Sequence, residues 1–259
     1  MSMSILFSIQ NSVGCITLNR PDVLNSFNRE MALQLQDVLR QCQEDADVRA
    51  IHITGAGRAF CAGQDLAEAI APDGPGLRTI VSEHYNPIIS LIREVEKPVV
   101  CGVNGVAAGA GANIALSCDI VFAASSASFI QAFSKIGLIP DSGGTYFLPR
   151  LIGMQRATAL MMLGDKVSAS DAMQMGMIYK SCDDDKLMSE SMECASKLAA
   201  MPTMGLGYTK RALNRSMTND LEQQLAMEEE LQVLSGLTYD YNEGVSAFLE
   251  KRKPVFKGE

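Results

Sequence analysis

The stretch from Lys97 to Ala124, KPVVCGVNGVAAGAGANIALSCDIVFAA, decides the fold. Its apolar run PVVCGV is typical of a short buried strand, and the segment 104–116 follows as a turn rich in glycine and alanine that leads into a helix. CDIVFAA then predicts the next strand. A strand, a glycine turn, a helix and another strand in this order indicate an α/β protein.

The sequence before this stretch repeats the arrangement. The start predicts a hairpin, because ILFSIQ and VGCITLN flank the turn residues Asn11 and Ser12. Asn28 is suited to cap a helix that ends near Ala46. VRAIHITGAG predicts a buried strand that ends in glycines, and an amphipathic helix is expected from about Gly76 to Glu96. We therefore expect an α/β fold built of ββα units.

The pattern becomes mostly helical after about residue 145. The predicted helices span 154–163, 170–175, 185–201, 203–216, 219–234 and 239–251. We expect residues 1–200 to form the core that carries the site and residues 201–259 to form a helical C-terminal region. Methionine-rich faces in this last third are suited to packing between subunits.

Composition excludes several classes of protein. A net charge of −8 argues against nucleic acid as a partner. The apolar runs are far shorter than the roughly 20 residues of a membrane helix. The N-terminus lacks the basic start and apolar core of a signal peptide, so we expect a cytoplasmic protein. The seven scattered cysteines form no C-x-x-C pair and the chain has two histidines, which predicts neither a disulfide framework nor a metal site.

The segment GLIPDSGG, 137–144, is compatible with more than one chemistry. Ser142 as a nucleophile needs a histidine beside it, and we disfavour this role because His52 lies in an apolar strand and His84 in a charged helix. Asp141 is a candidate general base. It is equally a candidate cap for the following helix, and the residues alone leave both interpretations open.

Two glycine-rich loops are candidate binding elements. AFCAGQDL, 59–66, follows one predicted strand, and NGVAAGAGANIAL, 104–116, follows another. In the second loop, unpaired N–H groups are expected at Gly109 to Gly111, where a helix N-terminus attracts negative charge. Two such N–H groups aimed at one oxygen form an oxyanion hole. The alternative is that small residues merely permit close helix–strand packing. Neither loop has the pattern of a phosphate-binding loop.

Over essentially its whole length the sequence resembles the enoyl-CoA hydratase/isomerase (crotonase) superfamily. The segments that carry the resemblance are ITLNRPDVLNSFN, AFCAGQDL, KPVVCGVNGVAAGAGANIALSCDIVFAA, FSKIGLIPDSGGTYFLPRLIG and EGVSAFLEKRKPVF. The resemblance implies a spiral of ββα turns with a C-terminal helical trimerisation region. It also implies a homotrimer or a dimer of trimers.

The resemblance further implies which residues bind an acyl-CoA thioester. The thioester carbonyl is expected between the backbone N–H groups of Gln64 and Ala110. The adenine is expected near Ala62 and the segment 64–66, which includes Asp65 and Leu66.

The basic C-terminus resembles the part of the family that reaches the CoA of a neighbouring subunit. The residues concerned are Lys251 and Phe248 beside it. The alternative for Lys251 is a solvated helix end, and local charge does not separate the two interpretations.

The sequence departs from the hydratases of the superfamily at two positions. Where they carry glutamates, this chain has Asn113 and Phe133, and neither side chain is a general acid or base. Asp141 matches an aspartate of the dienoyl-CoA isomerases and of the ring-opening isomerases of phenylacetate breakdown. An apolar pocket that includes Phe133 and Leu138 is expected to raise the pKa of this carboxyl.

We therefore predict an acyl-CoA isomerase that acts through an enolate, with one aspartate moving the proton. Its substrate is expected to be a 3-enoyl-CoA or the ring epoxide of phenylacetyl-CoA, and no metal or separate cofactor is expected. The alternatives are hydration, thioester hydrolysis or a non-catalytic CoA-binding scaffold. The segment 67–80, AEAIAPDGPGLRTI, is expected to set the specificity for the acyl chain.

Overall fold

The computed structural model describes residues 3–259 and contains two β-sheets with helices around them. The strands are β1 (Ile5–Gln10), β2 (Val13–Leu18), β3 (Ala50–Gly55), β4 (Ala59–Cys61), β5 (Val99–Val103), β6 (Val106–Ala108), β7 (Ile120–Ala124), β8 (Ser128–Ile130), β9 (Lys166–Ser168) and β10 (Lys180–Cys182). The six-stranded sheet has the order β1-β2-β3-β5-β7-β10, and the four-stranded sheet has the order β4-β6-β8-β9.

The helices are, in chain order, α1 (Arg29–Glu44), α2 (Leu66–Ala69), α3 (Leu77–Thr79), α4 (Asn86–Glu94), α5 (Ala110–Ser117), α6 (Gly144–Ile152), α7 (Met154–Leu163), α8 (Ala169–Gln174), α9 (Leu187–Ala199), α10 (Thr203–Ser216), α11 (Leu221–Gly236) and α12 (Tyr239–Leu249). A π-helical turn, Ile80–Tyr85, joins α3 to α4. Short 3-10 helices occupy Pro21–Val23 and Ala132–Ile136.

The first predicted elements are confirmed. β1 and β2 pair antiparallel through a turn at Asn11 and Ser12, whose φ angles are 51° and 59°. Two positive φ angles in a two-residue loop are typical of the hairpin turn that matches strand twist. Asn28 caps α1 as predicted, because its side chain accepts a hydrogen bond from the N–H of Met31 at 3.0 Å. The apolar face of α1 packs into the core through Leu35 and Leu39.

The predicted ββα repeat is also observed. β3, β5 and β7 are parallel neighbours in the larger sheet, and each is followed by a strand of the smaller sheet, β4, β6 or β8. After each of the first two pairs the chain continues into helical structure and returns to the larger sheet. After the third pair it passes through β9 of the smaller sheet before it reaches β10. The C-terminal ends of β4, β6 and β8 therefore lie side by side, and the loops that follow them are brought to one edge.

The C-terminal helices attach to this core through buried polar contacts. The ammonium group of Lys210 on α10 lies 2.8 Å from Asp119 Oδ2 and donates a hydrogen bond to the carbonyl of Ile92 at 2.7 Å. Arg49 donates to the hydroxyl of Thr203 and to the carbonyl of Phe256, each at 2.9 Å. These contacts fix α10 and the chain end against the spiral.

Within residues 3–259, no helix combines the length and the apolar character needed to cross a membrane.

Candidate active site

A pocket of about 230 Å³ opens where the loops after β4 and β6 meet the turn before α6. Most of its wall is apolar. It contains these predicted site residues: Ala62, Gln64, Leu66, Gly109, Ala110, Phe133, Leu138 and Asp141. The structure therefore brings most of the predicted residues into one cavity.

The backbone N–H of Gln64 is available to a ligand. A parallel bridge joins this segment to Phe27, whose N–H donates to Gly63 O at 2.7 Å and whose carbonyl accepts from Asp65 N at 2.8 Å. In such a bridge the residue between the two bonded ones, here Gln64, directs its own N–H away from the partner strand, here Phe27. Within residues 3–259 the N–H of Gln64 donates to no acceptor, so it is a free donor at the pocket wall.

The N–H of Ala110 is the second donor without an acceptor in the part of the chain that the structure describes. Ala110 is the first residue of α5, where the N–H has no partner in the preceding turn of the helix. Gly109 before it has φ +53°, which turns the chain sharply into the helix. The helix dipole adds a partial positive charge at this end.

Glycine allows these two loops to approach each other. A Cβ atom on Gly63 would lie 3.0 Å from the carbonyl oxygen of Ala108 and 3.6 Å from the backbone nitrogen of Ala110. A Cβ atom on Gly111 would lie 2.5 Å from the carbonyl oxygen of Cys61, which is too close for any side chain. Close packing and a pair of free donors thus occur together, and the two interpretations of the glycine loops are not exclusive.

Asp141 supplies the one carboxylate among the pocket-lining residues. Burial raises the pKa of Asp141, while a hydrogen bond from Ser142 Oγ to its Oδ1 at 2.8 Å opposes the rise. The direction agrees with the expectation for an apolar pocket. A carboxyl with a raised pKa is suited both to take a proton and to return it.

The alternative that Asp141 caps the next helix is not supported. Gly143 occupies the N-cap position of α6, and it is the main-chain carbonyl of Asp141 that accepts a hydrogen bond, from Gly144 N at 2.9 Å. The carboxylate is left to the pocket because the turn at Ser142 and Gly143, with φ of 51° and 72°, separates it from the helix.

Asn113 fixes the loop that carries Asp141. Its Nδ2 donates to the carbonyl oxygen of Asp141 at 2.8 Å, and its Oδ1 accepts from Gln131 Nε2 at 2.8 Å. Asn113 is fully buried, and a Cβ on Gly144 would come within 2.5 Å of its amide, so the side chain has little freedom. Phe133 is buried in the wall of the pocket. The two positions where the resemblance implies glutamates in hydratases therefore hold a buried amide and an apolar ring.

The serine nucleophile is excluded by the position of the histidines. The hydroxyl of Ser142 donates to Asp141, whereas His52 Nε2 lies 2.9 Å from Ser191 Oγ. His84 Nε2 lies 3.2 Å from the guanidinium of Arg29. Neither histidine is placed to activate Ser142.

Three of the predicted residues have other surroundings. The carboxylate of Asp65 caps α2 by accepting from Ala67 N at 3.1 Å and pairs with Arg20 at 3.0 Å, so it faces away from the pocket. Phe248 and Lys251 lie at the end of α12 and do not line this pocket within one chain. Their expected contact with the CoA of a neighbouring subunit stays a prediction.

Other pocket residues were not predicted individually. Leu77 comes from α3, and Ile80, Val81 and Tyr85 come from the π-helical turn. The sequence signal that marks this irregular turn is Pro87, which lies inside the predicted helix. Leu77 and Ile80 belong to the segment 67–80 that was expected to set acyl specificity, and they form part of the wall.

Among residues 3–259, no three or more histidine, cysteine, aspartate or glutamate side chains form a group that could hold a metal ion.

Comparisons with known proteins place the chain among enzymes that act on CoA esters by name. A family model described as enoyl-CoA hydratase/isomerase matches residues 8–259. The 1,2-epoxyphenylacetyl-CoA isomerase of Escherichia coli (strain K12) is 50% identical over 258 residues, which cover 98% of each chain. The mitochondrial enoyl-CoA hydratase of Pongo abelii is 35% identical and is covered over 85% of its length by 96% of this chain.

Solved structures confirm the predicted fold class. The enoyl-CoA hydratase of Bacillus anthracis superposes with a TM-score of 0.92 at 34% identity, over 99% of this chain and 100% of that chain. The resemblance noted in the sequence is thus confirmed, and so is the predicted class of enzyme. The chain belongs to the enoyl-CoA hydratase/isomerase family.

Proposed function

We propose that this protein isomerises an acyl-CoA thioester by moving one proton between two carbons of the acyl group. One observation carries the proposal: a single carboxylate, Asp141, lines an apolar pocket that also presents two unpaired backbone N–H groups. This set provides one base and one site for negative charge. It is sufficient for an isomerisation, in which no atom is gained or lost.

The N–H groups of Gln64 and Ala110 are proposed to bind the thioester oxygen. When a proton leaves the carbon next to the thioester, negative charge moves onto this oxygen and forms an enolate. Donors that already point to the oxygen stabilise the charge without reorganisation, and the N-terminus of α5 adds its dipole. Loss of one such donor typically costs about 3–4 kcal/mol of transition-state stabilisation.

Asp141 is proposed to accept the proton and to return it to another carbon of the conjugated chain. Its pKa is raised by burial, so the protonated form is a usable acid once the proton has been taken. Because the base is regenerated in each turnover, the reaction needs no separate cofactor. Coenzyme A enters as part of the substrate.

The proposed substrate is the ring epoxide of phenylacetyl-CoA, with a ring-expanded oxepin-CoA as the product. In this isomerisation the ring carbon–carbon bond shared with the epoxide breaks and its electrons enter the double bonds of the seven-membered ring, while both carbon–oxygen bonds are kept. Asp141 moves a proton from the carbon next to the thioester to a ring carbon, so no atom is gained or lost. The relative at 50% identity is named a 1,2-epoxyphenylacetyl-CoA isomerase, and the identity extends over nearly the whole chain. The largely apolar wall formed by Phe133, Leu138 and Ile80 is suited to an aromatic acyl group. An aliphatic 3-enoyl-CoA remains the second candidate, because it requires the same proton transfer.

The other family reactions receive less support from the site. Hydration needs groups that orient a water molecule and transfer its protons, and Asn113 and Phe133 offer neither. Thioester hydrolysis also needs an activated water. A CoA-binding scaffold remains the non-catalytic alternative, and only an activity measurement separates it from an isomerase.

Assembly belongs to the same proposal. We propose that residues 1–200 form the catalytic core and that residues 201–259 mediate a homotrimer or a dimer of trimers. Helices α10 and α11 support this role because they expose Leu213 and Leu225 along one groove. Lys251 and Phe248 are then proposed to reach the CoA of a neighbouring subunit.

The cytoplasmic location stays a prediction.

The variant Asp141→Asn tests the mechanism. Asparagine keeps the size and polarity of the side chain but does not accept and return a proton. With the phenylacetyl-CoA epoxide as substrate and product followed by mass spectrometry and NMR, kcat is expected to fall by about 10²- to 10⁴-fold. Asp37→Asn is the matched control, because Asp37 is an exposed carboxylate on α1.

Three results would contradict the proposal. Full turnover by Asp141→Asn removes the base from the mechanism. A wild-type protein that binds CoA esters but converts none of them to an isomer supports the scaffold. Hydration of a 2-enoyl-CoA at the same rate as isomerisation would assign the site to the hydratase reaction.

A further inference from the structure

The side chain of Gln64 is held at both ends. Its Oε1 accepts a hydrogen bond from the hydroxyl of Tyr85 at 2.9 Å. Its Nε2 lies 3.3 Å from a carboxylate oxygen of Glu68. The residue that presents one of the two free N–H groups is therefore fixed through its side chain as well as through its backbone.

The backbone contact and the side-chain contact support each other. Phe27 forms the main-chain bridge that turns the Gln64 N–H toward the pocket. The ring of Tyr85 packs edge-on against the ring of Phe27, with 5.9 Å between the centroids. One pair of aromatic rings therefore holds both the main chain and the side chain of Gln64.

Tyr85 is suited to donate this hydrogen bond at every working pH. The residue is 1% exposed, and burial raises the pKa of its phenol well above the usual value. The hydroxyl therefore stays protonated and donates to Gln64. Tyr85 also lines the pocket, so its position affects the same wall that the acyl group contacts.

An irregular helix places Tyr85 at this point. Pro87 has no N–H to donate to Glu83 O, the acceptor that a regular α-helix would offer. The chain instead forms a π turn, in which Asn86 N donates to Val81 O. The carbonyl of Glu83 accepts from the buried side chain of Gln36 at 2.7 Å.

Gln36 thus compensates for the bond that proline removes. A wide turn of this kind rotates the residues that follow it relative to a regular helix, and such turns are frequent at functional sites. The π turn ends at Tyr85, the residue whose hydroxyl reaches Gln64.

We propose that Tyr85 is a positioning residue, which holds the oxyanion-binding N–H of Gln64 in place through the Gln64 side chain. The π turn before Pro87 sets the position of its hydroxyl. This inference rests on the proposed function, because it takes the Gln64 N–H as one of the two donors to the thioester oxygen.

A double-mutant cycle tests the coupling. Tyr85→Phe removes the hydroxyl and keeps the ring, while Gln64→Ala removes the acceptor and keeps the backbone N–H. Each variant is expected to lower kcat by about 3- to 10-fold, the usual effect of one hydrogen bond, with little change in KM. The double variant is expected to match the single variants, because the same link is lost in all three. Tyr179→Phe, an exposed tyrosine, is the matched control.

The infrared stretching frequency of a bound ligand's thioester carbonyl is a second measurement. A loss of protein stability alone does not change this frequency. Isotope-edited infrared spectra of phenylacetyl-CoA, which lacks the epoxide, report the polarisation of the thioester carbonyl. We expect the stretch to lie lower on the wild-type protein than in solution. In Tyr85→Phe it is expected to move part of the way back, whereas Tyr179→Phe leaves it unchanged.

The outcomes separate this inference from the proposed function. If the wild type turns over its substrate, Asp141→Asn is inactive and Tyr85→Phe changes neither kcat nor the carbonyl stretch, the role of Tyr85 is wrong and the function stands. Additive losses in the cycle also overturn the inference, because Tyr85 then acts without Gln64. A wild type that isomerises no acyl-CoA ester refutes the proposed function itself.

Discussion

A single hydrogen bond from the hydroxyl of Ser142 affects the pKa of the Asp141 carboxyl. Ser142 is buried, and its Oγ donates to Asp141 Oδ1 at 2.8 Å. A donor stabilises the charged form of a carboxyl, so it lowers the pKa that burial raises. The serine that resembles a nucleophile in the sequence therefore acts on the proposed base beside it.

Removal of this hydroxyl is expected to shift the pH dependence of activity. In Ser142→Gly the pKa of Asp141 rises, so a higher pH is needed to ionise this carboxyl. The acidic limb of the plot of kcat/KM against pH is therefore expected to shift to higher pH. Glycine is the better replacement because φ at this residue is 51°. The rate on the plateau is expected to fall less than about 10-fold, the size of one hydrogen bond.

The control for this variant is Ser134→Ala, an exposed serine on the neighbouring 3-10 helix. Its profile is expected to follow that of the wild type. An acidic limb at the same pH in Ser142→Gly and in the wild type would show that the hydroxyl does not influence the base.

Single residues differ in how well the sequence predicts them. Gln64, Ala110 and Asp141 lie in continuous motifs, so resemblance places them correctly in one pocket. Tyr85 meets Gln64 only through the fold, and its position depends on a π turn. No local pattern around Tyr85 specifies that contact, so it became visible only in three dimensions.

The sequence predicted the helices and strands correctly where a single signal, such as a residue periodicity or a capping residue, is clear. β1, β2 and α1 follow from alternation, two turn residues and the cap at Asn28. The helical segment expected from about 76 to 96 was predicted as one regular helix, but it contains the π turn Ile80–Tyr85. Pro87 disrupts it locally, and the carbonyl that this leaves free is satisfied by Gln36, which lies far away in the sequence.

The contact between β3 and α9 is pH-sensitive. His52 on β3 is buried, and burial lowers its pKa to about 4. Ser191 on α9 donates its only hydroxyl proton to Leu187 O at 2.7 Å, so the nitrogen of His52 that faces it, 2.9 Å away, acts as the donor. The neutral imidazole already carries the one N–H donor that this hydrogen bond requires, so the contact needs no second proton on the ring.

Stability is expected to fall on mild acidification because of His52. The unfolded chain binds this proton near pH 6.5 and the folded chain only near pH 4, so the stability is fully present above 6.5 and is lost as pH falls toward 4. The loss over the whole interval is on the order of 3 kcal/mol. Urea unfolding followed by circular dichroism between pH 7.5 and 4 measures it.

His52→Gln is the test variant, and its unfolding free energy is expected to depend less on pH in this window. His84→Gln is the comparison variant, because the pKa of His84 is also lowered. Burial is the larger cause of this shift and the positive charge of Arg29 is the next. Equal pH dependence in His52→Gln and in the wild type would exclude His52 as the source.

The whole molecule joins a core of two β-sheets to an exposed helical surface. Lys210 is a buried cation, and its contact with Asp119 ties α10 to the spiral. Removal of one partner from such a pair is strongly destabilising, so the helical region has a fixed position on the core. Its outer face carries apolar side chains that a single chain leaves in contact with water, among them Leu221 and Leu237.

Assembly through this face is the prediction at the scale of the molecule. Leu213 on α10 and Leu225 on α11 line a groove and are 60% and 55% exposed. The wild type is expected to sediment with three or six times the mass of one chain. Leu225→Glu places a charge among the apolar contacts and beside Glu228 and Glu229, so it is expected to shift the protein toward single chains in analytical ultracentrifugation.

The control for assembly is Ala226→Glu, which adds the same charge to an exposed position of α11 outside the groove. This variant is expected to keep the wild-type mass. Because Leu225 is more than half exposed, its replacement leaves the core intact, and circular dichroism is expected to be unchanged. A wild type that sediments as a single chain contradicts the proposed assembly. Unchanged mass in Leu225→Glu shows instead that subunits meet through a different surface.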